Sequence, residues 1–298
     1  MSHPSELITS ARDPEPALRL LSVHAHPDDE ASKGASLVAR LVAEGAGATL
    51  VCCTGGELGE VLNPAMDRPE VVDRLAEVRL GELRASAEVI GFDRVDLLGY
   101  RDSGMAGDAA NDHPECFWQA PIDDAVGRLV RLIRRDRPQV ILTYSDDQGG
   151  YPHPDHLRVH DISVAAFDAA GDPGAYPEAG APWQPSKLYY SVWSKARVLA
   201  THQTMLEMGV ESPYTDEWLE RFTQDDRITT RIDIGAYWSV RDRALRAHAT
   251  QVDPASTFWF GLPPDVASRV YPWDEYILAA SRVPTDMPED DLFAGLRP

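Results

Sequence analysis

The chain has 298 residues, 43% of them hydrophobic, and a formal net charge of −20. That length can bury a large core, as one sizeable α/β domain or a domain with an appendage. The acid excess argues against nucleic acid or an anionic membrane as partner, because no surplus of Lys or Arg is left to neutralise phosphate. No window reaches the apolar length of a membrane span, and the opening M-S-H-P-S-E-L lacks a basic stretch followed by an apolar one, so a cytoplasmic location is expected. Three cysteines, two of them adjacent in an apolar run (Cys52, Cys53), make no disulfide framework. Cys116 has no neighbour that would activate it.

Residues 1–17 read as a frayed lead-in rich in Pro, Ser and charge. Residues 18–23 form a short apolar run, expected as a buried strand, which leads into His26, Asp28, Asp29 and Glu30. A helical pattern over 34–43 follows, so these side chains belong at the carboxyl end of a strand, where sites lie in open α/β sheets. Residues 48–53 (A-T-L-V-C-C) are a second strand, ending in T-G-G-E-L-G-E. That turn has neither G-K-[ST] nor dinucleotide spacing, so its glycines are expected to let backbone approach the site closely. Residues 68–90 show helical spacing and carry Arg79; residues 95–98 are a third strand, ending at G-Y-R-D-S-G-M. A helix over 121–135 leads to a strand over 139–144 (Q-V-I-L-T-Y), then G-G-Y-P-H-P-D-H and a helix over 157–170. This alternation implies βαβ units and a mostly parallel sheet flanked by helices.

Beyond a Pro/Gly/Ala-rich connection at 171–185 the pattern changes to a smaller C-terminal α+β part. Strands are expected at 186–192 and 227–234, and helices at 195–208 and at 237–250, the latter carrying His248. The aromatic tail (Phe258, Trp259, Phe260, Tyr271, Trp273, Tyr276) either covers a pocket or completes the core. The expected division is a lead-in at 1–17, a catalytic region at 18–175, and a part at 176–298 that completes the fold and the substrate pocket.

Two His/Asp clusters at strand ends can meet at one rim of the sheet. Alone, each reads better as a helix-capping turn, with Asp at the cap and Pro in the first turn. Together they read as a metal site. Imidazole and carboxylate both suit zinc, and a catalytic zinc takes three protein ligands and keeps one position open. His26, Asp29 and His156 would make such a set, with iron(II) an alternative occupant. Asp28, beside a ligand but pointing elsewhere, is then available as general base. His153, paired with Asp155, would stabilise an oxyanion or protonate a leaving amine, and Tyr151 offers a further O–H. His24, two residues before His26, is a competing ligand, although its place in the apolar run favours a core histidine. His160, one turn after His156, lacks the Glu of an H-E-x-x-H motif and reads as structural. Glu30 reads as a solvated or helix-start charge.

With A-H-P-D-D-E (25–30) and H-P-D-H (153–156) in place, the sequence resembles the LmbE-like, or PIG-L, superfamily of zinc-dependent de-N-acetylases and amidases. Within it, A-H-P-D-D-E-A-S-K-G-A, G-G-E-L-G-E-V-L-N-P-A-M-D, S-V-A-A-F-D-A-A-G-D, S-K-L-Y-Y and A-L-R-A-H-A-T-Q are similar to the mycothiol S-conjugate amidase branch, nearly end to end. The resemblance implies a Rossmann-like fold and one zinc held by His26, Asp29 and His156, with Asp28 as base. It places Tyr151 and His153 at the carbonyl, Asp155 behind the histidine, and Arg79 and Asp102 on an inositol-glucosamine head group. Lys33 fits the S-K-G version of the loop, a marker for the larger substrate.

The implied partner is a small-molecule thiol conjugate, a mycothiol adduct, and homo-oligomerisation is left open. Leu58 stands where the branch carries Arg, and 193–214 matches less well. Both leave room for a relative that processes adducts in antibiotic biosynthesis. The alternative activity is deacetylation of N-acetylglucosaminyl-inositol; a non-catalytic pseudodisaccharide-binding protein is the weaker third reading.

Overall fold

The computed structural model describes residues 5–10, 15–148, 151–221 and 224–297. Gly149 and Gly150, which open the second motif, lie outside the described residues, as do parts of the lead-in.

One eight-stranded sheet organises the chain, in the order β1-β4-β3-β2-β5-β6-β8-β7. The strands are β1 (Ser5–Thr9), β2 (Arg19–His24), β3 (Gly47–Thr54), β4 (Arg94–Tyr100), β5 (Val140–Tyr144), β6 (Lys187–Val192), β7 (Thr230–Asp233) and β8 (Trp273–Ser281). β2 to β6 pair in parallel; β1 joins β4, and β8 joins both β6 and β7, antiparallel. The chain winds outward from β2 through β3 to β4, then returns to lay β5 against the other side of β2. The strand order therefore reverses between β2 and β5, and the crevice outside that reversal is where doubly wound sheets bind ligands. The two His/Asp motifs follow these two strands.

Both faces of the sheet are covered, so the central strands read as continuous apolar runs rather than alternating ones. All eight residues of β3 are buried. Leu20, Leu50, Val95 and Val140 share one core with α2 (Ala35–Ala43, after the short α1, Asp29–Ser32), α4 (Leu75–Ile90, after the single turn α3, Pro69–Val72) and, from far along the chain, the helix Trp238–Ala247. Leu21, Val51, Ile141 and Leu188 share the other with α5 (Ile122–Asp136) and α6 (Pro154–Ala169). The register Leu20↔Val140, Leu21↔Ile141 sorts successive side chains to opposite cores. Truncating a fully buried Leu21 would cost about 2–5 kcal/mol.

The C-terminal region adds α7 (Lys195–Glu207), α8 (Asp216–Leu219), α9 (Trp238–Ala247), α10 (Thr257–Phe260) and α11 (Pro264–Val270). Its strands extend the same sheet. Four local differences from the sequence reading have physical causes. The lead-in contains β1, a half-exposed edge strand whose pattern is too polar to stand out. The helix expected over 68–90 breaks between α3 and α4. The strand expected over 227–234 shortens because Asp225–Arg227 forms a 3₁₀ turn. The helix expected from 157 begins at Pro154, so the H-P-D-H motif is itself the helix start.

Candidate active site

The loop after β2 is held in a conformation it would not choose. Asp28 has φ 124°, a region L-residues rarely adopt. Its N–H donates to Glu30 Oε2 (3.0 Å). Arg79, from α4, donates to the Pro27 carbonyl (2.6 Å), to Asp28 Oδ2 (3.2 Å) and to the Gly56 carbonyl. Gly56 and Gly59 make room for this guanidinium, since a Cβ at either would collide with it. The glycines of the β3 turn thus permit a close approach, as their sequence suggested, and it is Arg79 that approaches.

Glu30 is not a solvated charge. It is 1% exposed, accepts from Ser86 Oγ, and lies 2.6 Å from His248 Nε2. Burial disfavours both charges, yet each partner offsets it, so Glu30 titrates below and His248 above its ordinary value. With Arg79, this buried pair fixes Asp28. Burial pushes the Asp28 carboxyl up to about 6, against the pull of Arg79.

His26, Asp29 and His156 converge across the crevice. The His26 N–H donates to Asp29 Oδ2 (3.0 Å), and that oxygen lies 3.5 Å from His26 Nδ1 and 3.6 Å from His156 Nε2. In a tetrahedral site with bonds of about 2.1 Å, neighbouring donor atoms sit roughly 3.4 Å apart, so the two distances to Asp29 Oδ2 are each close to one edge of such a site. Imidazole and carboxylate donors grouped in this way could hold a divalent metal. Ring nitrogens of His26, His153 and His156 also lie within 4.8 Å of one another, so His153 borders the same point. Tyr144, the last residue of β5, stacks on His156 (centroids 4.5 Å, 11°) and its hydroxyl oxygen accepts from the Ala25 N–H at 3.2 Å. Burial holds His156 down at about 4, although Asp29 opposes it.

Asp155 corrects the expected pairing. Its carboxylate, fully buried, does not orient His153. It takes His26 Nε2 at 3.2 Å and accepts from the Ser103 N–H (3.0 Å) and Ser103 Oγ. A carboxylate on the far nitrogen of a candidate ligand fixes its tautomer and ring plane. Burial opposes a charge on His26, yet Asp155 and Asp29 override it and raise it to about 10. His153 is instead the N-cap of α6: its Nδ1 accepts the Asp155 backbone N–H at 3.1 Å. The neutral ring therefore carries its proton on Nε2, and burial and His26 keep it neutral by lowering its pKa.

The remaining candidates are placed as follows. Lys33 donates to Asp29 Oδ1 (2.5 Å) and lies over the Tyr144 ring (5.3 Å), so it holds Asp29 as well as bordering the cleft. Asp102 accepts from the Gly104 N–H (2.8 Å) and sits 3.7 Å from His26 Nε2. Tyr151 stands at the rim, 49% exposed, with its ring 6.2 Å from His153. His24 is a buried, neutral core residue held 2.7 Å from Ser22 Oγ, its pKa lowered to about 4 by burial, and does not line the cleft. His160 meets the Tyr144 carbonyl (3.1 Å) and is structural. Sequence reasoning missed Ser86, Ser103 and Tyr144; only Tyr144, at a strand end, carried a signal. The cleft has a volume of about 750 Å³ and is lined by His26, Asp28, Asp29, Arg79, His153 and His156 together with a group of aromatic rings.

Residues 21–167 match the PIG-L family model, described as GlcNAc-PI de-N-acetylase. The mycothiol S-conjugate amidase of Streptomyces coelicolor is 46% identical over 290 residues, covering 94% of this chain and 98% of that one. A 1D-myo-inositol 2-acetamido-2-deoxy-alpha-D-glucopyranoside deacetylase of Geodermatophilus obscurus is 41% identical over 292 residues, covering 94% and 99%. Among solved structures, the N,N'-diacetylchitobiose deacetylase of Pyrococcus horikoshii superposes with a TM-score of 0.61 at 17% identity, covering 94% of this chain and 86% of that one, which establishes the shared fold. A sheet with its strand order reversed between the two motif loops, and end-to-end similarity to two kinds of amide-cleaving enzyme, lead to one assignment: the chain belongs to the PIG-L family.

Proposed function

We propose that this protein is a zinc-dependent amidase that hydrolyses the amide joining glucosamine to the N-acetylcysteinyl part of mycothiol S-conjugates. The products are a mercapturic acid and glucosaminyl-inositol. The observation that carries the reading is the 46% identity to an amidase of that name across nearly the whole of both chains. The approach of His26 Nδ1 (3.5 Å) and His156 Nε2 (3.6 Å) to the Asp29 carboxylate supports it. These three would hold the zinc, and iron(II) would accept the same donors. Bound there, the metal supplies Lewis acidity to the attacked carbonyl and to the attacking water.

The chain's own residues do the rest. Asp28, held by Arg79 and by Glu30, takes the proton from the attacking water and returns it towards the leaving amine. His153 donates its Nε2–H to the carbonyl oxygen as charge develops there, and Tyr151 offers a second O–H from the rim. Asp155 orients His26 rather than His153. Lys33, Arg79 and Asp102 border the cleft where the glucosaminyl-inositol head would lie. Among the described residues no helix is long and apolar enough to cross a membrane, in keeping with a cytoplasmic enzyme acting on a diffusible thiol conjugate.

The 41% identity to a deacetylase sustains a second reading: removal of acetate from N-acetylglucosaminyl-inositol by the same groups. Mass spectrometry of products from the zinc-loaded protein separates the two. Mercapturate release from a mycothiol conjugate is the expected result. Acetate release from N-acetylglucosaminyl-inositol with no mercapturate would replace the amidase by the deacetylase.

A further inference from the structure

The cleft contains a second wall that the amide chemistry does not use. The cavity that holds His153 and His156 runs on to Trp193, Trp218, Phe258 and Trp259. Trp193 lies one residue beyond the end of β6, the parallel neighbour of β5, so the wall rises from the same rim of the sheet as the site. Trp218 comes from α8, and Phe258 and Trp259 from α10. Trp193 stacks on Phe258 (centroids 6.0 Å, 21°), and Phe258 meets Trp259 and Trp218 edge-on (4.7 Å, 85°; 6.0 Å, 82°). All four rings remain partly exposed.

The wall is stiff. Arg197 lies 5.1 Å from the Trp193 ring centroid and Arg241 5.6 Å from that of Trp259, and Arg197 is itself tied to Asp274 (3.2 Å). Cations against the aromatic faces fix the ring orientations before any ligand arrives. Leu58 (37% exposed), Leu62 (57%) and Met105 (45%) add apolar surface to the lining. A preformed apolar pocket joined to a few convergent polar groups is the anatomy of a small-molecule site, and exposed apolar surface of this kind marks binding.

We propose that this aromatic arm is the subsite for the sulfur substituent of the conjugate, and that it selects flat aromatic thioethers over small aliphatic ones. The proposal rests on the amidase reading above. The occupant follows from the chemistry of the bond cut. The sugar head lies on the amine side of the carbonyl and needs hydrogen-bond partners, which Arg79, Asp102 and Gln251 offer at the polar end of the cleft. The cysteinyl sulfur lies on the acyl side, and its substituent is the part of the substrate with no polar requirement. Aromatic rings stacking on Trp193 and Phe258 satisfy both the shape and the polarity of that end.

The test compares kcat/KM for the S-(4-nitrobenzyl) and S-methyl conjugates of mycothiol in the zinc-loaded wild type, Trp193→Ala, Phe258→Ala and Trp193→Phe. The wild type is expected to favour the nitrobenzyl conjugate by about tenfold or more, and either alanine variant to collapse that ratio by about tenfold, chiefly through KM. Trp193→Phe should restore most of it. A binding readout runs in parallel: S-(4-nitrobenzyl)-N-acetylcysteine should quench tryptophan emission in the wild type and do so only at higher concentration in Phe258→Ala. Hydrolysis of both conjugates without preference, or equal losses on both in the variants, would overturn the subsite while leaving the amidase reading standing. No hydrolysis of either, with acetate released from N-acetylglucosaminyl-inositol, would overturn the amidase reading and the subsite with it. A dimer that dissociates on Trp193→Ala with the ratio unchanged would assign the wall to a second copy of the chain.

Discussion

The two ends of the cleft are built by different physics. The polar end is a buried network in which each group is aimed by another: Asp155 at His26, Lys33 at Asp29, Arg79 and Glu30 at Asp28. The aromatic end is held by ring packing and by guanidiniums at the ring faces. Hydrogen bonds are directional, and a buried donor or acceptor left alone costs its full desolvation, so the polar end should fail abruptly when touched. Stacking is broad and shallow, so the aromatic end should respond in small steps. One end is suited to a single reaction, the other to a range of substituents.

The largest expected effect comes from removing the metal. A chelator should abolish amide hydrolysis and stoichiometric Zn²⁺ should restore it, measured by product release; activity that survives exhaustive chelation would break the comparison at its root. Next is Asp28→Ala, expected to cut kcat by about 10³-fold with zinc still bound, as befits a lost general base. Metal analysis decides it, because loss of zinc would exchange the roles of Asp28 and Asp29. Asp155→Asn sharpens the picture further. If Asp155 serves His26, zinc affinity should weaken by about 10–100-fold; if it served His153, kcat would fall with zinc affinity intact. Removing one member of the buried pair by Glu30→Ala should cost about 3–5 kcal/mol in denaturant melts, since His248 is left without its partner. The smallest effect is Asp28→Gly measured against Asp28→Ala: the glycine variant should be about 1–2 kcal/mol more stable, because only it accepts the positive φ without strain.

How much of this could be read in the chain depends on how local each feature is. The strand-end clusters after β2 and β5 were legible because an apolar run followed by His and Asp is a local pattern. Their meeting was an inference from parallel topology, and the reversal of strand order between β2 and β5 supplies its physical reason. Glu30 does stand at a helix start, in the first turn of α1, but its burial was not legible because its partners, Ser86 and His248, are 56 and 218 residues away. The Asp155 pairing was misread because residues two apart look adjacent in sequence, whereas the start of α6 turns the Asp155 carboxylate towards His26 and only its N–H towards His153. The aromatic tail was left between two roles and divides between them. Phe258 and Trp259 line the cleft, while Tyr276, 1% exposed in β8, completes the core. Edge strand β1 left no pattern because half its surface faces water.

The placement of His153 at the first turn of α6 has one more consequence. Histidine is not among the residues favoured at that position; Asn, Asp or Ser would start the helix at least as well. Any of them would preserve the fold and, on the proposed mechanism, silence the chemistry, because none presents an N–H on the far side of a ring. The helix start therefore doubles as a latch on a proton: while Nδ1 is engaged by the backbone, the proton of the neutral ring can reside only on Nε2, the atom the proposed mechanism turns towards the scissile carbonyl.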